Sequence, residues 1–214
     1  MPQLAVRNLE GDKVGQIEVS DSVLGVPLNV DLIHQALCVV ESQRHVGRHR
    51  TLSRGEIDLS KAKWYRQKGL GRARHGSRSA NLFVGGYKAH GPTGEKRILR
   101  LPKRMRRKAL LSALSEQVRD GVVTVVDSFD LPEISTRAVA RALDNLGCQS
   151  RTLLLLSPEE FRDQTLYLSC RNIPFLLRRE VPHISVRDVL WAEHILITKR
   201  ALDALAEFAQ EGGE

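Results

Sequence analysis

Residues 44 to 108 hold 20 of the chain's 33 lysines and arginines but only three of its 25 acids, Glu56, Asp58 and Glu95. This stretch carries a net charge of +17, whereas the remainder of the chain carries −9 and the whole carries +8. Nine of the 16 glycines also fall in it. Its aliphatic residues are sparse and follow neither a helical nor an alternating period. Such a segment cannot bury enough apolar surface to build a core of its own. A loop this long inside a compact domain is usually a functional one. The expectation is a long, extended basic arm that becomes ordered on a polyanionic partner. A plain solvated linker rarely sets Trp64, Tyr65, Phe83 and Tyr87 among arginines and paired glycines. That mixture suits stacking on bases and close backbone approach to phosphate.

The flanking sequence reads as an α/β body. With 214 residues and 42% hydrophobic content, the chain is long enough to fold around one core without covalent staples. Residues 3–8 and 16–20 suggest a hairpin around Gly11 and Asp12. Asn29 is placed to cap a helix whose apolar face is Val30, Ile33, Leu37 and Val40 and which ends near Gln43. Pro102 marks a second helix start, with Leu110, Leu111, Leu114 and Val118 on one face and Gly121 at its end. Strands are expected at 122–126, 152–157, 174–178 and 194–198. Ser135 or Thr136 can cap a helix that ends at Gly147, Pro158, Glu159 and Glu160 suit a first helical turn, Ser185 caps a short helix, and a last helix is expected over 199–210. Runs that are apolar on both faces and alternate with helices imply a mainly parallel sheet, helix-covered on both faces, as in a Rossmann-like body. The expected organisation is a body of residues 1–43 and 109–214, interrupted between its first and second helices by the arm at 44–108.

An α/β sheet of this kind offers a crevice at the carboxyl ends of its strands, but no strand here runs into a glycine-rich phosphate loop. Gly69-Leu70-Gly71 lies inside the basic segment, follows no strand and lacks a third glycine or a Lys-Ser/Thr ending. His45 and His49 are four apart, without the glutamate or cysteine neighbours of a zinc site. Cys38, Cys148 and Cys170 are widely spaced and odd in number. They are expected to be core residues in a reducing compartment rather than a disulfide scaffold. Ser157, Ser169 and Ser185 sit in no nucleophile elbow, and Asp127 and Asp130 read as capping or loop acids. No catalytic, cofactor or metal residues are assigned. No apolar run approaches the roughly 18 residues of a membrane span, and the first residues lack the basic and apolar regions of a secretory signal.

The candidate RNA contacts are the cations, histidines and aromatics of the basic segment: Arg44, Arg48, Arg50, Lys61, Lys63, Trp64, Arg72, Arg74, His75, Arg78, Lys88 and His90. Lys103, Arg104, Arg106, Arg107 and Lys108 join them at the start of the second helix. The helix dipole disfavours cations there, so their placement points to an anionic partner. Arg72, Arg74 and Arg78 alternate with small residues and can project from extended backbone onto phosphates.

The run Arg66-Gln67-Lys68-Gly69-Leu70-Gly71-Arg72-Ala73-Arg74-His75-Gly76-Ser77 strongly resembles the signature of the large-subunit ribosomal protein four family. Phe83-Val84-Gly85-Gly86, Ala89-His90-Gly91-Pro92 and the stretch from Leu101 to Leu110 extend the match. The resemblance is specific in the arm and compatible in length and element order elsewhere. Leu70 stands where a threonine is usual, and Tyr87 replaces the last of three glycines. The resemblance implies a structural constituent of the large ribosomal subunit, bacterial or organellar in type, without catalysis. It implies early binding to large-subunit rRNA, contact with neighbouring ribosomal proteins, and no membrane or small-molecule partner. It also implies that the arm tip, Arg66, Gln67, Lys68, Gly69, Leu70 and Gly71, lines the peptide exit tunnel and meets the nascent peptide. The expected location is the ribosome of the cytoplasm, an organellar ribosome being the other option. Two rivals stay open: a non-ribosomal regulator that binds nucleic acid, and an enzyme using the α/β crevice.

Overall fold

The computed structural model describes residues 2–95 and 98–210. Two strands, β1 (Gln3–Arg7) and β2 (Lys13–Glu18), are followed by a short helix α1 (Asp21–Leu24) and then by α2 (Val30–Arg44). After the basic segment come α3 (Lys103–Arg119), β3 (Val123–Val126), α4 (Thr136–Asn145) and β4 (Thr152–Leu156). The chain ends with α5 (Pro158–Arg162), α6 (Gln164–Cys170), β5 (Leu176–Glu180), α7 (Val186–Trp191), β6 (His194–Thr198) and α8 (Lys199–Gln210). By contact the chain divides into two compact units, Met1–Glu41 with Leu99–Glu214, and Ser42–Ile98.

In the first unit the strands form one mixed sheet of order β2-β1-β3-β6-β4-β5. Every neighbouring pair is parallel except β1 and β2, which form an antiparallel hairpin. The hairpin turn is held by Asn8, whose Oδ1 accepts from the N–H groups of Glu10 (3.1 Å) and Asp12 (2.8 Å). Gly11 has φ +92°, and a Cβ there would lie 2.7 Å from the carbonyl oxygen of Asn145. Only glycine suits that position.

Strand residues alternate between two cores. Val125, Leu153, Leu155, Ile195 and Ile197 face a core shared with α2, α3, α7 and α8. Val126, Leu154, Leu156 and Leu196 face a second core built with α4 and α6. Helices therefore cover both faces of the sheet, and this is why the strand runs are apolar without alternation.

The caps follow the sequence. Asn29 Oδ1 accepts from Leu32 N (3.0 Å) at the start of α2. Ser135, Ser157 and Ser185 cap α4, α5 and α7, the last two in reciprocal capping boxes with Glu160 and Asp188. Gly121 ends α3 in the left-handed region at φ +72°, where its N–H donates to the Val118 carbonyl.

Several expectations are corrected. The strand expected at 174–178 begins two residues later, because Pro174 has no N–H and the Leu176 N–H is turned back to Ile173 O. The second hairpin strand starts at Lys13, since the Asn8 turn closes the loop early. Helix α2 buries Leu32, Ile33, Ala36 and Val39, and leaves Val30 65% exposed. Cys38 is consequently on its outer side, 3.6 Å from His34 Nε2, rather than in the core. Because α1 precedes α2, the basic segment enters between the second and third helices. The basic side chains from Lys103 to Lys108 lie on α3 and group with the first unit.

Candidate nucleic-acid interface

The described residues of the unit Ser42–Ile98 form no helix or strand ladder of their own beyond the end of α2. It is held by turns, two isolated bridges and one aromatic cluster. Arg50 and Thr93 form an antiparallel bridge, and Thr51 N donates to Pro92 O at 2.9 Å. Deeper in the segment Lys63 and Ser77 form a second bridge, and Trp64 N donates to Gly76 O at 3.0 Å. The two bridges bring the incoming and outgoing legs together and leave residues 65–75 as the loop between them.

Four rings gather beside the second bridge. The Trp64 and Phe83 centroids are 5.0 Å apart at 86°, and those of His75 and Phe83 are 4.9 Å apart at 68°. Tyr65 adjoins both Trp64 (5.8 Å) and His75 (6.1 Å). Edge-to-face packing of this kind stabilises beyond the area it buries. The Arg78 guanidinium carbon lies 5.8 Å from the Trp64 ring centre. Behind the rings the chain turns repeatedly: Phe83 N donates to Ala80 O, Gly86 N to Phe83 O and Tyr87 N to Ser79 O. Ser79 is 2% exposed. A Cβ on Gly86 would collide with the Ala80 carbonyl oxygen, so this turn requires glycine.

The loop at 65–75 is tied internally. Lys63 Nζ donates to Gln67 Oε1 (2.6 Å) and His75 O (3.3 Å). Tyr65 Oη donates to Ala73 O, and Arg66 Nη2 donates to Gly69 O at 3.2 Å. Gly69 and Gly71 both have positive φ, +83° and +63°. Arg66, Gln67, Lys68, Gly69, Leu70 and Gly71 all line a polar cavity of about 200 Å³. Near the first bridge the Glu56 carboxylate accepts from Ser53 N and Ser53 Oγ, each at 2.9 Å, and from Arg50. The Ser53 hydrogen bonds, with Arg50 beside them, hold its carboxyl below the usual range.

The sequence-derived contacts divide accordingly. Arg48, Lys61, Arg72, Arg74, Lys88 and His90 project to the outside. Among the described residues Lys61, Lys68, Arg72, Arg74 and Lys88 have no carboxylate partner. Lys63, Trp64, His75 and Arg78 are instead part of the internal framework, and Arg50 is bonded to Glu56. Arg44 closes α2. His45 and His49 fall beyond the helix end and share no helical face. Ser79 was not singled out by sequence reasoning, and Glu56 was noted only as one of three acids in the segment. The glycine pair at 85–86 did carry a signal, through the family resemblance and as a tight backbone approach.

In the other unit, α3 opens after Pro102, whose carbonyl accepts from Arg106 N. Lys103, Arg104, Arg106 and Lys108 are exposed on its first turns, with no acid there. Arg107 is half-buried, its guanidinium carbon 4.4 Å from the Phe208 ring centre.

At the carboxyl ends of the strands, side chains of the protein bond one another. The chain leaves β3 and β6, which are neighbours, towards opposite faces, the geometry of a topological switch point. There Asp127 pairs with Lys199. Thr198 Oγ1 donates to the buried Glu160 Oε2 at 2.6 Å, which also accepts from Ser157 N at 3.0 Å. Among the described residues no cluster of three or more His, Cys, Asp or Glu is placed to hold a metal. None of their helices is long and apolar enough to cross a membrane.

The profile of the Ribosomal protein L4/L1 family matches residues 17–208. The chain is 38% identical over 207 residues to the large ribosomal subunit protein uL4 of Thermoanaerobacter sp. (strain X514), covering 97% of this chain and 98% of that one. It is 37% identical to the protein of the same name from Heliobacterium modesticaldum, over 97% of this chain and 99% of that one. Against that of Aquifex pyrophilus the identity is 37%, over 90% and 96% of the two chains.

Proposed function

The chain belongs to the ribosomal protein L4/L1 family, and on that premise we propose that it is a structural constituent of the large ribosomal subunit that binds large-subunit rRNA. The segment 44–108 is its main RNA-binding element, and the loop from Arg66 to Gly71 faces the peptide exit tunnel. Neighbouring ribosomal proteins and the nascent chain are its other partners, and the ribosome is its location.

One observation carries this reading. The segment has 20 cations against three acids, and apart from the Glu56 carboxylate its internal framework uses rings, glycines and backbone groups. Lys61, Lys68, Arg72, Arg74 and Lys88 therefore remain available to phosphates. A framework that fixes the chain while leaving its charge outward is what buried rRNA requires, because packed phosphates repel unless neutralised. The glycines at 69 and 71 allow close backbone approach, and the arginines offer planar donors to phosphates and bases.

The test is a salt titration. If the segment neutralises about 6–8 phosphates, log K for rRNA falls with log salt at a slope of about −4 to −7. Because Thr51 and Pro92 are hydrogen-bonded, residues 52–91 can be replaced by a short glycine linker. That variant loses nine of the segment's 20 cations and is expected to keep a folded body and lose about half of the slope. An undiminished slope would place RNA binding outside residues 52–91. Tighter binding to a DNA operator than to rRNA at matched salt would favour the regulator.

A further inference from the structure

Strand β5 is the outer strand of the sheet, and one of its arginines is held in an unusual way. The Arg178 guanidinium carbon lies 4.9 Å from the Phe161 ring centre and 5.0 Å from that of Tyr167. Its Nη1 is buried and has no hydrogen-bond partner among the described residues. A desolvated donor without an acceptor is costly to keep. The three side chains border a cavity of about 250 Å³, with Arg171 and Cys170 also on its wall.

Among the described residues no acid forms an ion pair with Arg178 or Arg171. Arg179 also borders the cavity but is committed to Asp188, with Nε donating to Oδ2 at 2.8 Å. Asp163 is near enough to act on Arg178 electrostatically, yet its two oxygens cap α6, accepting from Thr165 N (2.9 Å) and Leu166 N (3.4 Å). Burial pushes the Cys170 thiol up to about 11, so it stays neutral. Arg171 is exposed and has no ion pair among the described residues. Outside residues 44–108 the chain carries −9, which makes two uncompensated arginines side by side the more distinctive.

A guanidinium clasped by ring faces directs its N–H groups outward in its own plane, and those other than the buried Nη1 can meet an oxyanion in the cavity. Tyr167 remains 49% exposed, so part of its ring is open to a base. An acidic peptide would use the arginines but has no need of the ring, whereas a nucleotide uses both. We propose that this cavity is a second RNA contact, carried by the body, in which Arg178 and Arg171 hold one phosphodiester and Tyr167 stacks on the adjoining base. It rests on the reading of the protein as an rRNA binder and adds a site outside the basic segment.

The test uses the full-length protein and a large-subunit rRNA transcript. Arg178→Met removes the donors but keeps a flexible apolar filler between the rings, and Arg171→Gln alters only an exposed side chain. Each is expected to reduce the magnitude of the salt slope by about 1 and to weaken binding several-fold whatever the RNA sequence. Ultraviolet crosslinking of the wild type is expected to join RNA to Tyr167, and the crosslink should fade in both variants. Unchanged slopes with no crosslink at Tyr167 would overturn the proposal while leaving the rRNA reading intact. The same result, with a polyglutamate peptide bound by the wild type and lost in Arg178→Met, would overturn it in favour of an acidic protein segment. A wild type that binds no rRNA would overturn both readings.

Discussion

Among the described residues of Ser42–Ile98 only Ile57 and Ser79 are buried, whereas the four consecutive leucines of β4, Leu153 to Leu156, are all 0% exposed. The two regions are ordered by different means. The body is specified by burial: an apolar sheet sealed by helices on both faces, with capped helix ends. The basic segment is specified by a few directed contacts: two bridges, four rings and glycine-dependent turns. Burial needs many apolar residues, and these leave little room for outward charge. Directed contacts need few, so most positions of the segment stay free to carry arginine and lysine. A segment built this way can be dense in charge and still have a defined path.

The sharpest way to break the comparison is to damage each region and ask whether the other responds. Leu114→Ala, at a side chain with 0% exposure in the core under α3, is expected to cost the body about 3–5 kcal/mol in denaturant unfolding. Replacing residues 52–91 by a glycine linker is expected to change that unfolding free energy by less than about 1 kcal/mol. A larger loss would show the segment to be part of the core. Trp64→Ala is expected to dissolve the ring cluster. Amide exchange should then speed up at position 64 and at Gly86 by about tenfold or more, with the β4 amides unchanged.

The cysteines give a finer contrast. Cys38 is exposed, and Cys148 and Cys170 are buried, their thiols raised by burial from 9.0 to about 11. A thiol-reactive dye is expected to label one cysteine of the native protein quickly and the other two only on unfolding. The raised values also carry a sign. Between pH 9 and 11 the unfolded chain has released these protons while the folded one retains them. Stability therefore falls across that window. A Cys148→Ala, Cys170→Ala double variant should show a shallower fall over the same pH range in urea unfolding.

The smallest expected effect is at Glu56. Its carboxyl is held low by Ser53 and Arg50, so its contribution is present above its ordinary value of 4.5 and lost as the pH falls below it. Glu56→Gln is expected to loosen only the turn at 50–56, visible as local amide exchange at Ser53 with no shift in global melting.

Much of the body was legible in the sequence because its signals are local and redundant. Continuous β-branched and leucine runs marked β3, β4 and β6, and Ser135 or Thr136, the Pro158-Glu159-Glu160 turn and Ser185 marked helix starts. Errors arose where a local pattern had two solutions. Helix α2 offers Val30-Ile33-Leu37-Val40 as one stripe and Leu32-Ile33-Ala36-Val39 as another; only the packing chose the second and exposed Cys38. The interface was legible in composition and motif but not in its division of labour. Lys63, His75 and Arg78 are written in the same letters as Lys61, Arg72 and Arg74. The partners that set them apart, Gln67, Phe83 and Trp64, act through ring geometry and bridges that spacing does not encode. Arg178 was invisible for a similar reason, since its clasp joins Phe161 and Tyr167 from two helices to a strand.

The central claim, that the charge of 44–108 is spent on RNA buried inside a particle, is tested most directly by sedimenting the tagged protein with large ribosomal subunits through a high-salt gradient. The account predicts one copy retained per subunit for the full chain and release of the variant lacking residues 52–91. Release of the full chain into the light fractions at the same salt would contradict it, reducing the contact to surface electrostatics.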